Sequence, residues 1–544
     1  MNTLNVQIHR IESDLAELFF NPREVDLRVG ETLTLRERES GRAVIVQIIA
    51  FRSASYPALA REQMQSLVGV PLAEEEILKI QAMTQNGHAN GNGFVDEMGN
   101  IKLAMTKLRK TVPPPPPSIP PQAGGGNGSP PLNSGGAGGG RWENWDGWIP
   151  ARDVEVSRTD DDEVFANATH SLGHDMRLGR TLTGQDFYIE GQDLEKVNVI
   201  TGGKGSGKSH LSKVVLLQLI EQGAPCIVFD INREYIHLPK AEVDEQTGEV
   251  LKRGIVHLEA GGNFRLGVRQ FGLAPMMTLL QRFGLPEVSA LHFENRVSRL
   301  FGEAEALEES GKKAPYLGLE QLIEMTEDQE FGGASNALVV NNAIRSRLEA
   351  LVNTKIFARS PREAASLSRA YRQIRDGGAL VIDISALSNL ARGGFVQAII
   401  ELIKDLCQWE IEHDTHRFPF IFFEEAHLYV SRQSIDYIVT RARHLGITSF
   451  FVTNMIQGLE EAILRQADNL FLLRIPYEDD VRHVSRGAAT DFATMDALVR
   501  RLRHRHALVI GNVTAQYPLM FEVDPLRGVN TAGETRFFFR SSSG

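Results

Sequence analysis

The run Gly202, Gly203, Lys204, Gly205, Ser206, Gly207, Lys208, Ser209 constrains this chain more than any other stretch, because it spells the G-x-x-x-x-G-K-S phosphate-binding loop. Val197, Val199 and Ile200 precede it as a short apolar run ending at Thr201, which reads as a buried strand. From His210 to Glu221 the pattern is helical, and Gly223 stands where a C-terminal helix cap is expected. The glycines let the backbone wrap a triphosphate with its N–H groups turned toward the oxygens. The helix opening near Lys208 adds the positive end of its dipole. Lys208 is expected to reach the β- and γ-phosphates, and the Ser209 hydroxyl to complete a Mg²⁺ shell. Residues Gly202 to Ser209, with His210 after them, are therefore the expected ATP contacts, and ATP and Mg²⁺ the expected cofactors.

Composition narrows the remainder. At 544 residues the chain has room for about two to four domains. A net charge of −11 leaves no global basic field, so any polyanion site has to be local, such as a lined pore. The two cysteines, Cys226 and Cys407, lie in apolar runs and read as buried thiols, which argues against a disulfide framework and fits a reducing, cytoplasmic setting. The first residues carry no apolar signal region, and no run of about 18 apolar residues suggests a membrane span.

Taken in order, residues 1–110 read as β-rich and then mixed. Val25 to Gly30, Thr32 to Leu35, Ala43 to Phe51 and Ile101 to Leu108 have strand character, and Pro57 to Gln85 is helical. Short strands with glycine turns suggest a small barrel with a helical insertion. Residues 111–141 are a linker: Pro113 to Pro117 is stiff polyproline and Gly124 to Gly140 a flexible coil, a tether or a docking site. Residues 142–164, with Trp142, Trp145 and Trp148, are expected to return the chain to the barrel. Residues 165–526 form the ATPase part, with an inserted helical subdomain at about 270–375, followed by a tail over 527–544.

Two further strand ends carry chemistry. Phe420 to Phe423 is wholly apolar and ends in Glu424 and Glu425. One acid there would hold the metal's shell and the next polarise the attacking water, so Glu424 is assigned to Mg²⁺ and Glu425 to the water. His427 couples nucleotide to pore or simply opens the next helix. Thr448 to Thr453 ends in Asn454, an amide that can bond the γ-phosphate or the lytic water. Just upstream, Arg443 and, as second choice, Arg441 could reach a neighbouring subunit's nucleotide as an arginine finger. Arg392 and Arg432 are candidate pore contacts to DNA, Arg392 on a glycine-bearing loop after the Ile384 strand. The cluster Arg500, Arg501, Arg503, His504, Arg505 faces DNA or packs against acids. Acids and polar groups also crowd the end of the strand Cys226 to Asp230, in the stretch Asp230 to Tyr235.

The succession of the loop, Phe229 to Tyr235, Val381 to Ser385, Phe422 to His427, Arg441 to Ile447 and Phe450 to Asn454 resembles the HerA branch of the HerA–FtsK translocase superfamily. Ala467 to Arg474, Asp480, Ala507 to Gly511 and a strand at Pro518 extend the likeness, which covers roughly residues 165 to 525. Two features depart from the family's pattern. Thr453-Asn454 stands where Gln or Ser-Gln is frequent, so the sensor role falls to Asn454 or to Gln457, and the barrel is interrupted by the Pro/Gly tract, whose purpose the family does not explain. The resemblance implies an α/β chain: a RecA-like P-loop NTPase core with a helical insertion, preceded by a small N-terminal β-barrel. It implies a homohexameric ring that pumps double-stranded DNA, a helicase-like motor with a nuclease or other effector on the barrel side, as in end processing or antiviral defense. The alternatives are an ATP-binding scaffold that regulates a partner enzyme and, disfavoured without a membrane span, a conjugation-type coupling ATPase.

Overall fold

The computed structural model describes residues 3–53, 102–114, 142–243, 250–333, 335–430, 444–454, 461–486 and 491–529. The helical segment expected over 57–85, most of the linker, Arg432, Arg441, Arg443 and Gln457 lie outside them. The chain divides into two compact units, Met1–His170 with Thr490–Arg501, and Ser171–Ala489 with Leu502–Gly544.

In the first unit the strands are β1 (Val6–Glu12), β2 (Leu15–Phe20), β3 (Thr32–Glu37), β4 (Ala43–Ser53), β5 (Lys102–Val112), β6 (Glu143–Asn144) and β7 (Val154–Arg158). They pair antiparallel in the order β1-β2-β5-β4-β3-β7, with β6 on β5. Alternate residues turn one face inward: Ile8, Leu18, Leu33, Leu35, Val44, Val46, Ala104, Leu108 and Val156 share one buried cluster. Trp145 and Trp148 pack against that cluster, as the re-entering chain was expected to do. Just ahead of β1, Thr3 bridges Ser157 of β7 and the Leu4 N–H bonds Val156 C=O, but no ladder joins β1 to β7 among the described residues, so the expected barrel is met as one sheet short of closure. Val25 to Gly30 is no strand. Its alternation reflects Val25 and Leu27 packing on the cluster, a one-sided burial that an unpaired segment achieves equally well. Helix α1 (Asp161–Ala168) follows, and α12 (Phe492–Val499) belongs to this unit as well, where its sequence neighbours had suggested the ATPase part.

The second unit is built on one eleven-stranded sheet. Its strands are β8 (Asp175–Thr181), β9 (Asp186–Glu190), β10 (Val197–Thr201), β11 (Pro225–Asp230), β14 (Ile255–Glu259), β15 (Gly378–Asp383), β16 (Phe420–Glu424), β17 (Thr448–Thr453), β18 (Asn469–Leu472), β19 (His506–Gly511) and β20 (Leu519–Val523). A separate pair, β12 (Glu242–Val243) and β13 (Val250–Lys252), stands apart. The order is β14-β15-β11-β16-β17-β10-β18-β19-β20-β8-β9, parallel from β14 to β18 and antiparallel beyond. Strands β10, β11, β15, β16 and β17 are buried throughout, which is why they read as unbroken apolar runs rather than alternating ones.

Helix α2 (Lys208–Glu221) leaves the phosphate-binding loop and ends as its sequence indicates. Gly223, at φ +87°, donates to Ile220 C=O while Ala224 donates to Leu219 C=O, the paired bonds of a left-handed C-terminal cap. Helices α3 (Val268–Phe271), α4 (Leu273–Arg282), α5 (Glu287–Glu309), α6 (Leu319–Glu327), α7 (Ala337–Val352) and α8 (Leu367–Arg372) form the expected insertion between β14 and β15. Then α9 (Asn389–Glu412) packs on α4 at Gly394, where an added Cβ would lie 2.2 Å from Leu279 Cγ. Two short helices, α10 (Glu461–Gln466) and α11 (Glu478–Ser485), complete the described set. No helix among the described residues is long and apolar enough to cross a membrane.

Candidate nucleotide site

Three neighbouring parallel strands, β10, β17 and β16, end on the same edge of the sheet and deliver the three motifs together. The phosphate-binding loop leaves β10, Asn454 follows β17, and Glu424 closes β16 with Glu425 next. Residues some 250 positions apart in sequence thus share one edge, the usual ligand side of such sheets.

In the loop, Gly205 at φ +72° and Gly207 at φ +110° occupy the left-handed region that favours glycine. Gly203 N–H is taken by the Arg474 carbonyl at 2.8 Å and Ser206 N–H by Gly203 C=O at 3.2 Å. The first turn of α2 presents N–H groups that have no carbonyl partner within the helix. Lys208 is buried, its Nζ donates to Gly203 C=O at 2.9 Å, and burial lowers its pKa against the pull of the Glu425 and Glu424 carboxylates. Ser206 Oγ is buried with no hydrogen-bond partner. Lys204 is exposed, and His210 Nε2 bonds the Asp524 carbonyl at 2.8 Å, so its polar tip is committed to that carbonyl. His504, unforeseen here, bonds Gly205 C=O through Nδ1 at 3.1 Å.

Ser209 Oγ donates to Glu424 Oε1 at 3.2 Å, bringing together the two groups assigned to the metal. Glu424 is buried, and burial, with the Glu234 charge next in weight, pushes its pKa up to about 8. A buried lysine, an orphaned serine hydroxyl and a buried carboxyl whose charged form is costly without a counter-ion suit a polyphosphate with a divalent cation. Lys208, Ser206 and the α2 N–H groups would hold the phosphates, and Ser209 and Glu424 the cation.

Glu425 sits at φ +51°, a left-handed position rare for a glutamate, and its N–H bonds Val452 C=O at 2.7 Å. The Asn454 amide donates to Glu425 Oε1 at 2.7 Å, and the Asn454 N–H and Thr453 Oγ1 lie 3.3 and 3.4 Å from Oε2. His427 Nδ1 is 2.9 Å from Thr453 Oγ1, which ties it to the same cluster. The Asn454 amide thus engages the Glu425 carboxylate in this structure.

Arg392 departs from its expected place. It lies buried in the first turn of α9, not on a loop, and its guanidinium bonds the carbonyls of Ile384 (3.2 Å) and Leu387 (2.8 Å) and Asn389 Oδ1 (2.9 Å). Those donors shape the turn after β15, so it offers no free fork to a phosphate backbone. Of the basic cluster, Arg500 pairs with Asp496 within α12 and its neighbouring turn. A cavity of about 580 Å³ at the opposite edge of the sheet, lined by Glu195, Lys196, His416 and Arg417 among others, holds none of Lys208, Ser209, Glu424, Glu425 and Asn454.

Sequence reasoning passed over Tyr235, whose hydroxyl donates to Glu424 Oε2 at 2.8 Å, and Ser212, 2.8 Å from that hydroxyl. The only available signal was the acid-rich stretch Asp230 to Tyr235; nothing in it marks the tyrosine, because the contact spans 189 residues.

Comparison with known proteins bears on this unit. A search of curated proteins finds no match. Among solved structures, VirB4 of Thermoanaerobacter pseudethanolicus aligns at 15% identity over 65% of this chain and 98% of that one, TM-score 0.46. The plasmid coupling protein TrwB in complex with ADP and Mg²⁺ aligns at 12% identity over 69% of this chain and 94% of that one, TM-score 0.45. The genome packaging NTPase B204 from Sulfolobus turreted icosahedral virus 2, in complex with ATP-gammaS, aligns at 12% identity over 61% and 99%, TM-score 0.30. The family model of the helicase HerA central domain matches residues 176–403, a span that contains the phosphate-binding loop and stops short of Glu424. Over those residues this chain is similar to the helicase HerA central domain.

Proposed function

We propose that this protein hydrolyses ATP and uses the energy to move along double-stranded DNA as a homohexameric ring, with a nuclease or other effector as partner. The observation that carries the hydrolytic part is the convergence of Lys208, Ser209, Glu424, Glu425 and Asn454 on one sheet edge. The match to a helicase central domain supports DNA as the track. Lys208 draws the β- and γ-phosphates, the α2 N–H groups bind their oxygens, and Glu425 orients water and takes its proton. Mg²⁺, when bound, neutralises phosphate charge as it builds on the leaving group. Arg443 or Arg441 of a neighbouring copy is the proposed source of the balancing cation. A heterologous contact that closes on itself makes a ring in which every site borrows from its neighbour. Duplex DNA would be gripped through phosphates, without sequence preference and with strong salt dependence.

The test is steady-state ATP hydrolysis with and without duplex DNA, together with mass measurement in the presence of ATP. Stimulation by duplex and a six-copy species are the expected results. Hydrolysis that ignores DNA, with no duplex binding at low salt, would overturn the motor and leave an ATP-dependent scaffold for a partner enzyme.

A further inference from the structure

The loop that follows β11 is held more firmly than a connector requires. Asp230, buried at the end of β11, accepts the N–H groups of Asn232, Glu234 and Tyr235 at 3.2, 3.1 and 2.8 Å. Arg233 takes φ +59° and pairs with the buried carboxylate of Asp383, at the end of β15, at 3.0 Å. Glu234 pairs with Lys213 of α2 at 3.3 Å, and the Lys213 ammonium stands 5.5 Å from the centre of the Tyr235 ring. Four successive positions are thereby tied to β11, β15 and α2.

The product of all these ties is one aimed hydroxyl. Tyr235 is wholly buried and its Oη is 2.8 Å from both Glu424 Oε2 and Ser212 Oγ. A phenol has one proton; with the carboxylate as acceptor, the Ser212 hydroxyl donates in turn to Oη. Glu424 then has Ser209 on Oε1 and Tyr235 on Oε2, which fixes the carboxylate plane from both sides. Core tyrosines need a partner for the hydroxyl, and a backbone carbonyl usually suffices. Here the partner is the carboxylate placed to hold a cation, approached from the end of the neighbouring strand.

We infer that Tyr235 is a positioning residue: it orients the Glu424 carboxylate for the divalent cation, with Ser212 and Asp230 holding Tyr235 in register. The inference rests on the ATPase reading of the site. Groups that orient a metal-binding carboxylate govern metal affinity without touching the metal. Removing the phenol oxygen lets Glu424 rotate about its last bond, and the cation then has to supply the ordering that the protein no longer does.

The experiment measures Mn²⁺ binding to the full chain by electron paramagnetic resonance, with a non-hydrolysable ATP analogue present, for the parent, Tyr235→Phe and Ser212→Ala. Tyr235→Phe is expected to raise the Mn²⁺ concentration at half-saturation about tenfold. Binding of the analogue in EDTA should stay at the parent level. Ser212→Ala, which deletes only the outer hydroxyl, should shift the same midpoint in the same direction by less. A purely structural tyrosine gives the opposite pattern, a lowered melting temperature with the Mn²⁺ midpoint unmoved, and that result overturns the inference. Should Tyr235→Phe fail to fold, an unmoved midpoint in Ser212→Ala overturns it equally. A parent protein that binds no Mn²⁺ with the analogue overturns the ATPase reading itself and this inference with it.

Discussion

The Asn454 side-chain amide donates to Glu425 Oε1 at 2.7 Å, so the residue after β17 holds the carboxylate that follows β16. With Thr453 and the Asn454 N–H near the other oxygen, both lone-pair faces of Glu425 are occupied. Glu425→Ala should lower ATP turnover about 10²- to 10⁴-fold while ATP binding persists, the expected loss for a general base. Asn454→Ala should cost less, about tenfold to one-hundredfold, the worth of a hydrogen bond to a charged group. Steady-state rates beside equilibrium binding check both, and an Asn454→Ala protein at parent turnover would refute the coupling.

Lys208 is a buried cation that donates a hydrogen bond to a carbonyl of its own loop. Lys208→Ala should abolish turnover and weaken ATP binding severely, because no other buried cation sits among the loop residues. Calorimetric titration with ATP is the direct measurement, and undiminished affinity would count against the site.

Burial pushes the Glu424 carboxyl up to about 8 in the folded chain, from an ordinary value of 4.5. Between those values the folded state keeps a proton that the unfolded state has released, so stability falls as pH rises through the window. In EDTA and without nucleotide, the melting temperature should decline from about pH 5 to about pH 8, and Glu424→Gln should flatten that decline. Equal slopes in the two proteins would dismiss burial of this carboxylate as the cause.

Gly393 and Gly394 let α4 approach α9 closely: added Cβ atoms would stand 2.1 Å from Arg282 Nη1 and 2.2 Å from Leu279 Cγ. Arg282 is a flexible end that can swing away, whereas Leu279 is wholly buried. Gly394→Ala should therefore destabilise by about 1–3 kcal/mol, and Gly393→Ala by less, as denaturant midpoints would show.

Arg392 serves carbonyls, not phosphates. Arg392→Ala should lower the melting temperature, since buried carbonyls lose their donors. The salt dependence of duplex binding should remain that of the parent, because no phosphate contact is removed. A slope reduced by about one unit would return Arg392 to the DNA path.

What the sequence determined by itself was local. The glycine spacing before Lys208, the apolar runs of β10, β11, β16 and β17 and the Gly223 cap each depend on nearest neighbours, and each stands in the structure as written. A strand buried on both faces announces itself as an apolar run, and a helix cap announces itself as a glycine. The tertiary structure decided which strand ends meet. Nothing in residues 196 to 235 says that β17 lies between β10 and β16 or that β11 lies beside β16, yet that order brings Asn454 to Glu425 and Tyr235 to Glu424. It also turned Arg392 inward, where the carbonyls of Ile384, Ser385 and Leu387 take its donors and offset part of the cost of burying the charge. Strand order is set by the burial of whole faces across the sheet, a sum over distant residues that no short motif records.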